Sequence, residues 1–388
     1  MKHIPSEFDE IRPVADEEIR ENFEQLLHDR LFMQVLRGFV PWLPKGWIRG
    51  FLRATSWGVK SALGFQKRYM LPAMHLLIRR TTKKLTFSYE ALPQKQAGYT
   101  YISNHRDIVL DSAMLSVILI DAKFPNTVQI AIGDNLLIYP WIRRFVRMNK
   151  AFIVRRSLSP KELLNSSTLM SRYMHWVIES GKDNIWIAQR EGRAKDSNDR
   201  TQPSVLRMMT LGYEGNPLDA LRAMQLVPLT ISYEYDPCDY LKAQEFQQKR
   251  DNPSFKKSKQ DDLDNMRVGI LGKKGRVHYQ LSPCINEWIE EYRALSPKEM
   301  FEAVAARIDQ HIHRGYRLYP SNYVAADLLE NNTRFAQHYT HKEKATFDQY
   351  LQSRLALIKI ENKDEAYLRQ CMLTMYANPL YNHLAAHA

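Results

Sequence analysis

Between Lys84 and Leu281 the chain alternates short apolar runs of strand length with longer segments of helical period. This alternation restricts the fold more than any other feature, because strands separated by helices assemble into a sheet with helices on its faces. The expected strands are Leu85–Tyr89, Thr100–Ser103, Val128–Ile132, Ala151–Val154, Asn184–Ala188, Leu226–Ser232, Arg267–Leu271 and Arg276–Leu281. The expected fold class is α/β: a mixed sheet covered by helices on both faces, with an N-terminal helical domain and a helical C-terminal tail. The expected divisions are 1–82, 83–316 and 317–388.

Helix signals frame these strands. One helix is expected from about Asp16 to Phe32, and residues 31–82 read as helices broken at Pro41-Trp42-Leu43-Pro44 and at Pro72. Ser159-Pro160-Lys161-Glu162 and Ser296-Pro297-Lys298-Glu299 each place a hydroxyl cap, a first-turn proline and a closing glutamate together. The first predicts a helix to about Glu179, ended by Gly181, and the second a helix to about His313. Polar Gln244–Lys259 reads as an exposed insertion or a long helix. Beyond Arg317 the expected helices are Lys342–Ile360 and Asp364–Met375.

Charge is distributed unevenly. The chain of 388 residues carries a formal net charge of +12, yet Leu31–Tyr89 has no Asp or Glu and eleven Lys or Arg. Everything outside that stretch is therefore close to neutral. The same stretch holds Trp42, Trp47, Trp57, Phe39, Phe51, Phe65 and Tyr69. Basic residues attract anionic headgroups, and amphipathic rings favour the membrane–water boundary. The reading is a peripheral contact with an anionic membrane on its cytoplasmic face; a basic helical side domain packed on the main one is the plainer alternative. Nucleic acid is not expected, because no recognition motif accompanies the charge. No window approaches the roughly 18 uninterrupted apolar residues that a spanning helix needs. Cys238, Cys284 and Cys371 are widely spaced, which argues against a disulfide framework or a cysteine-ligated metal. Met1-Lys2-His3-Ile4-Pro5 has no apolar core and does not read as a signal peptide.

Four blocks at expected strand ends carry chemistry. Ser103-Asn104-His105-Arg106-Asp107-Ile108-Val109-Leu110-Asp111 follows a strand and opens an apolar helix. A histidine there can take a proton from a hydroxyl, and Asp111, or the nearer Asp107, can hold its tautomer. The plainer reading has Asp107 capping the helix. Arg155 ends the run Ala151-Phe152-Ile153-Val154, with Arg156 on the opposite face if the strand continues. In Gln189-Arg190-Glu191-Gly192-Arg193, Gly192 permits close backbone approach, Arg193 supplies a second cation and Glu191 shapes the loop. Leu226–Tyr233 reads as buried core. Each block has a mundane reading as a cap, surface pair or turn; their joint occurrence in this order is the signal.

From Leu85 to Tyr235 these blocks resemble the glycerol-3-phosphate/lysophosphatidate acyltransferase family, whose blocks are Asn-His-x4-Asp, Phe-Ile-x-Arg, Glu-Gly-Thr/Arg and an apolar strand with an early proline. The resemblance implies transfer of a fatty acyl group from an acyl thioester (acyl-CoA or acyl-ACP) to a glycerol-phosphate hydroxyl in phospholipid biosynthesis. Neither metal nor resident cofactor is implied. Carried over, His105 is the general base and Asp111 its partner, Arg155 and Arg193 clamp the acceptor phosphate, and Glu191 and Gly192 line the same pocket. The sequence departs from the pattern twice: five residues separate His105 from Asp111, and Gln189-Arg190 replaces an apolar residue and Pro or Val. The first departure keeps Asp107 in play as partner and admits a catalytically inactive lipid-binding homologue. The second admits a lyso-aminolipid as acceptor.

Overall fold

The computed structural model describes residues 4–39, 41–92, 95–156 and 158–388. The start Met1–His3, part of the segment read as no signal peptide, lies outside them. Seven strands form one sheet: β1 (Thr82–Ser88), β2 (Thr100–Ser103), β3 (Val128–Gly133), β4 (Ala151–Val154), β5 (Asn184–Ala188), β6 (Leu226–Tyr233) and β7 (Gly275–Leu281). Their spatial order is β1-β7-β6-β2-β5-β3-β4. All neighbours are parallel except β6 and β7, paired antiparallel with Leu229 opposite Leu281. The strands β2 to β6 therefore share one carboxyl edge, where open α/β sheets place their sites.

Successive residues of each central strand feed opposite faces, as the pleat requires. Ile102, Ile185 and Leu226 join a core with helices Pro160–Ser180, Pro203–Thr210 and Pro297–Arg314. Tyr101, Trp186 and Val227 join a second core under helix Leu110–Asp121. That helix is buried nearly all round, so its sequence shows an apolar run and little amphipathic period. The mixed sheet with helices on both faces is as expected.

At the sheet edge beyond β4, the segment before helix Ile19–His28 lies against the strand: Ile153 N–H donates to Ile11 O at 2.9 Å. The edge is thereby partly covered. At the other end of the chain, helix Glu365–His387 packs on helices Pro320–Glu330 and Asp239–Asp251. Buried Asp239 ties its own helix to helices His341–Leu355 and Glu365–His387, accepting from Arg354 Nε at 2.7 Å and from the Tyr350 and Tyr376 hydroxyls at 2.6 and 2.8 Å.

Several expected elements differ. Arg267–Leu271 is not a strand but the end of helix Lys259–Leu271, opened by a Ser258–Asp261 capping box. A short run such as Val268-Gly269-Ile270-Leu271 does not distinguish the two states, and the Ser258 cap lay inside a segment read as insertion. Gln244–Lys259 splits between helix Asp239–Asp251 and a connection, and Lys242, Ala243, Glu245 and Gln247 are buried in it. The expected Asp16–Phe32 helix stops at His28; Asp29 Oδ1 then accepts the amides of Leu31 and Phe32 and starts helix Arg30–Phe39. Pro72 breaks nothing: a π-helical stretch Gln66–Met70 precedes helix Leu71–Thr81, where the proline's missing N–H is absorbed. The last helix runs to His387 through Pro379, and the one before it stops at Leu355.

Candidate active site

The loop after β2 is pinned before it reaches His105. Asn104 Nδ2 donates to Ile231 O at 2.9 Å, and Asn104 Oδ1 accepts Ile231 N–H at 2.8 Å, so its amide is locked to the backbone of β6. His105 then turns its ring toward helix Leu110–Asp121. Its Nδ1–H donates to Asp111 Oδ2 at 2.8 Å. The same oxygen accepts the amides of Arg106 (2.6 Å) and Asp107 (3.0 Å), and Oδ1 accepts the Tyr233 hydroxyl at 3.1 Å. Four donors compensate a carboxylate that is fully buried. With Nδ1 committed, Nε2 is the ring's free acceptor. Trp186 meets the imidazole edge-on at 5.4 Å between centroids.

The five-residue spacing does not disrupt this pairing. Residues 105–109 are not helical; the loop wraps around the carboxylate, and the helix starts only at Leu110. The helical rotation that would separate His105 from Asp111 therefore never accumulates. Asp107 is no alternative partner, contrary to one expectation. Its Oδ1 accepts the amides of Val109 (2.9 Å) and Leu110 (2.8 Å), which makes it the helix cap. Burial, then the charge of Asp111, pushes its carboxyl above the usual range. Helix Lys259–Leu271 crosses so closely that a Cβ on Gly269 would clash with Asp107 Oδ2. Buried Lys274 adds its positive field beneath, its own ammonium pushed down by burial to about 8.

A second buried network supports the loop, and the sequence offered no sign of it. Arg106 Nη2 donates to Asp199 Oδ2 at 2.6 Å; the Tyr316 hydroxyl bonds the same oxygen, and His313 Nε2–H donates to Asp199 O at 2.8 Å. Two residues on, Asp309 Oδ1 accepts both the amide (2.7 Å) and the hydroxyl (2.6 Å) of Thr201. Helix Pro297–Arg314 thus braces the chain leading from the Glu-Gly-Arg turn. These partners are 93 to 117 residues apart, so no local pattern announces them.

His105 opens onto a cavity of about 1110 Å³. Most of its wall is apolar, including Met74, Val117, Ile130, Trp141, Phe145 and Met170 from five different elements. Arg155, Glu191, Gly192 and Arg193 all line it, so the structure brings together every expected site residue except Asp107 and Asp111, which lie behind His105. Arg156 lines it too, since β4 ends at Val154 and alternation no longer applies. Arg155 is half-exposed and paired with Glu10; Arg156 Nη1 donates to Glu191 at 3.2 Å. Arg193 is held by Asn265 Oδ1 at 3.1 Å. Gly192 has φ +67°, a left-handed position that suits glycine, and Gln202 ties the turn by accepting Glu191 N–H at 2.8 Å.

A histidine–aspartate pair at a strand's carboxyl end, opening on a long apolar cavity edged by arginines, has the attributes of a site that moves an acyl group to a polar acceptor. Residues 84–215, about a third of the chain, match the model of the Acyltransferase family, and the match spans all of the site residues expected from the sequence. The matched segment is thus the part of the chain that holds the site, and over that segment the chain is similar to the family. The chain is also similar to the solved 1-acyl-sn-glycerophosphate (LPA) acyltransferase PlsC from Thermotoga maritima: 12% identity, 77% of this chain and 100% of that chain covered, TM-score 0.37. That likeness is distant, and the site stands without it. Comparison with curated proteins finds no match.

Proposed function

We propose that this protein is an acyltransferase that moves a fatty acyl group from an acyl thioester, acyl-CoA or acyl-ACP, to a hydroxyl of a glycerol phosphate, glycerol-3-phosphate or lysophosphatidate, at a membrane surface. The observation that carries the proposal is the meeting of the His105–Asp111 pair with a long apolar cavity and an arginine cluster. His105 Nε2 takes the acceptor's hydroxyl proton as its oxygen attacks the thioester carbonyl. Asp111 stabilises the imidazolium that forms. Collapse of the tetrahedral intermediate expels the thiolate, which recovers the proton from His105. The apolar cavity accommodates the acyl chain, and the arginines hold the acceptor's phosphate.

Docking on anionic lipid is supported by the N-terminal region. Trp47 and Phe51 lie one turn apart on helix Lys45–Thr55, and Trp47 is 75% exposed. Trp42 and Trp57 are likewise exposed, in a stretch whose only charges are basic. No helix among the described residues is long and apolar enough to cross a membrane, so the attachment is proposed as peripheral.

The test is product formation by purified protein with anionic vesicles and a long-chain acyl thioester, offering glycerol-3-phosphate and lysophosphatidate separately. One acceptor should be acylated, and His105→Ala should abolish the product. No product from either, with vesicle binding intact, would overturn the proposal and direct the search to lyso-aminolipid acceptors.

A further inference from the structure

We propose that Arg190 joins Arg193 in binding the acceptor's anion, so that two guanidiniums on one turn, rather than Arg155, set acceptor selectivity. The inference rests on the glycerol-phosphate reading above and names the residues that recognise its charge.

Six cations line the cavity that His105 faces: Arg155, Arg156, Arg190, Arg193, Lys195 and Lys257. Four already have carboxylate partners. Arg155 is on Glu10, Arg156 on Glu191 and Lys195 on Glu245. Lys257 lies 3.6 Å from Glu245 and 3.4 Å from Asp262. Among the described residues Arg190 and Arg193 have no such partner. Arg193 spends one Nη on the neutral amide of Asn265 and lies beside the Cys238 thiol, with Asp236 and Asp107 acting on it only through their fields. Its other Nη and the Nε of Arg190 are buried without a hydrogen-bond partner among the described residues. A buried guanidinium N–H without an acceptor carries a desolvation cost that a bound anion relieves.

The local backbone presents the two side chains together. The left-handed turn at Gly192 separates Arg190 from Arg193 by three residues, and both reach the cavity wall. Gln202 holds the turn at both ends: its backbone N–H donates to Gln189 O at 2.9 Å, and its side-chain Oε1 accepts Glu191 N–H at 2.8 Å. Two pre-positioned forks suit the charge and the several lone pairs of a phosphate monoester dianion better than a single carboxylate.

The experiment compares wild type with Arg190→Gln and Arg190→Lys, varying acceptor and acyl thioester separately and using inorganic phosphate as competitor. Arg190→Gln should raise the acceptor KM by about tenfold or more and weaken phosphate inhibition by a similar factor. The thioester KM, and kcat at saturating acceptor, should stay within about twofold of wild type. Arg190→Lys, which keeps the charge and loses the fork, should fall between. An acceptor KM unchanged in Arg190→Gln would overturn the proposal. If wild type acylates neither glycerol-3-phosphate nor lysophosphatidate, the function reading fails separately. Calorimetric binding of inorganic phosphate then decides the clamp: loss in Arg190→Gln supports it, and equal or absent binding in both proteins overturns it.

Discussion

Asp111 and Asp107 stand four residues apart with opposite duties. Asp111 orients the imidazole, whereas buried Asp107 spends its Oδ1 on the amides of Val109 and Leu110. Asp111→Asn should therefore lower kcat by about 100-fold or more, with thioester KM little changed. Asp107→Asn keeps a cap and should retain kcat within about tenfold, its effect appearing instead in urea unfolding as about 1 kcal/mol or less. A kcat loss in Asp107→Asn as deep as that in Asp111→Asn would contradict this division. The arginines divide in the same way. Arg155 sits at the half-exposed margin with Glu10, while Arg193 is held by Asn265 at the inner wall. Arg193→Ala should raise acceptor KM more than Arg155→Ala, in steady-state assays varying acceptor alone.

The site is braced by an element remote in sequence. Helix Pro297–Arg314 supplies Asp309 to Thr201, and burial pushes that carboxyl up to about 6 from its ordinary 3.8. A carboxyl raised on folding binds its proton more tightly in the folded chain than in the unfolded one. Its contribution is thus fully present below about pH 4 and is lost as pH rises through 6. Asp309→Asn keeps an oxygen for Thr201 and removes the buried charge. It should be more stable than wild type at pH 8 by on the order of 1–3 kcal/mol, and the difference should vanish at pH 4. Urea unfolding at the two pH values measures both. A gain larger at pH 4 than at pH 8 would show that the buried charge is not the cause.

Across the whole molecule, charge and apolar surface are segregated. The basic stretch Leu31–Tyr89 exposes Trp42, Trp47, Phe51 and Trp57, while Met70, Leu71 and Met74 from the same stretch line the cavity. One region thus contributes both to the proposed lipid-facing surface and to the acyl site. Trp47→Ala should weaken partitioning onto anionic vesicles roughly tenfold, corresponding to about 1.5 kcal/mol of lost apolar burial. Raising salt should weaken binding further through its electrostatic part. Vesicle co-sedimentation over a salt series separates the two contributions. Binding indifferent to both changes would remove this region from the membrane contact.

The sequence alone determined what depends on neighbours along the chain. Six of the seven strands, β2 through β7, and the β1 run fall where short apolar segments meet turn signals, and the capped helices at Ser159 and Ser296 follow from three-residue hydrogen-bond patterns. His105 and Arg155 were legible because each closely follows a strand end, where a side chain leaves the sheet toward a common edge, and Asp111 and Arg193 because they stand a few residues further on in the same blocks. Tertiary structure decided the rest. Which aspartate serves His105 depends on how the loop wraps a buried carboxylate, since backbone amides and Tyr233 must satisfy it. Arg267–Leu271 became helix because its cap begins nine residues earlier, outside any strand-length window. The Arg106–Asp199–Tyr316 network arises only when segments roughly a hundred residues apart are packed together, and the burial of the Arg190 Nε, unbonded among the described residues, is likewise a product of packing. Burial and pairing are properties of that packing, and no local pattern encodes them.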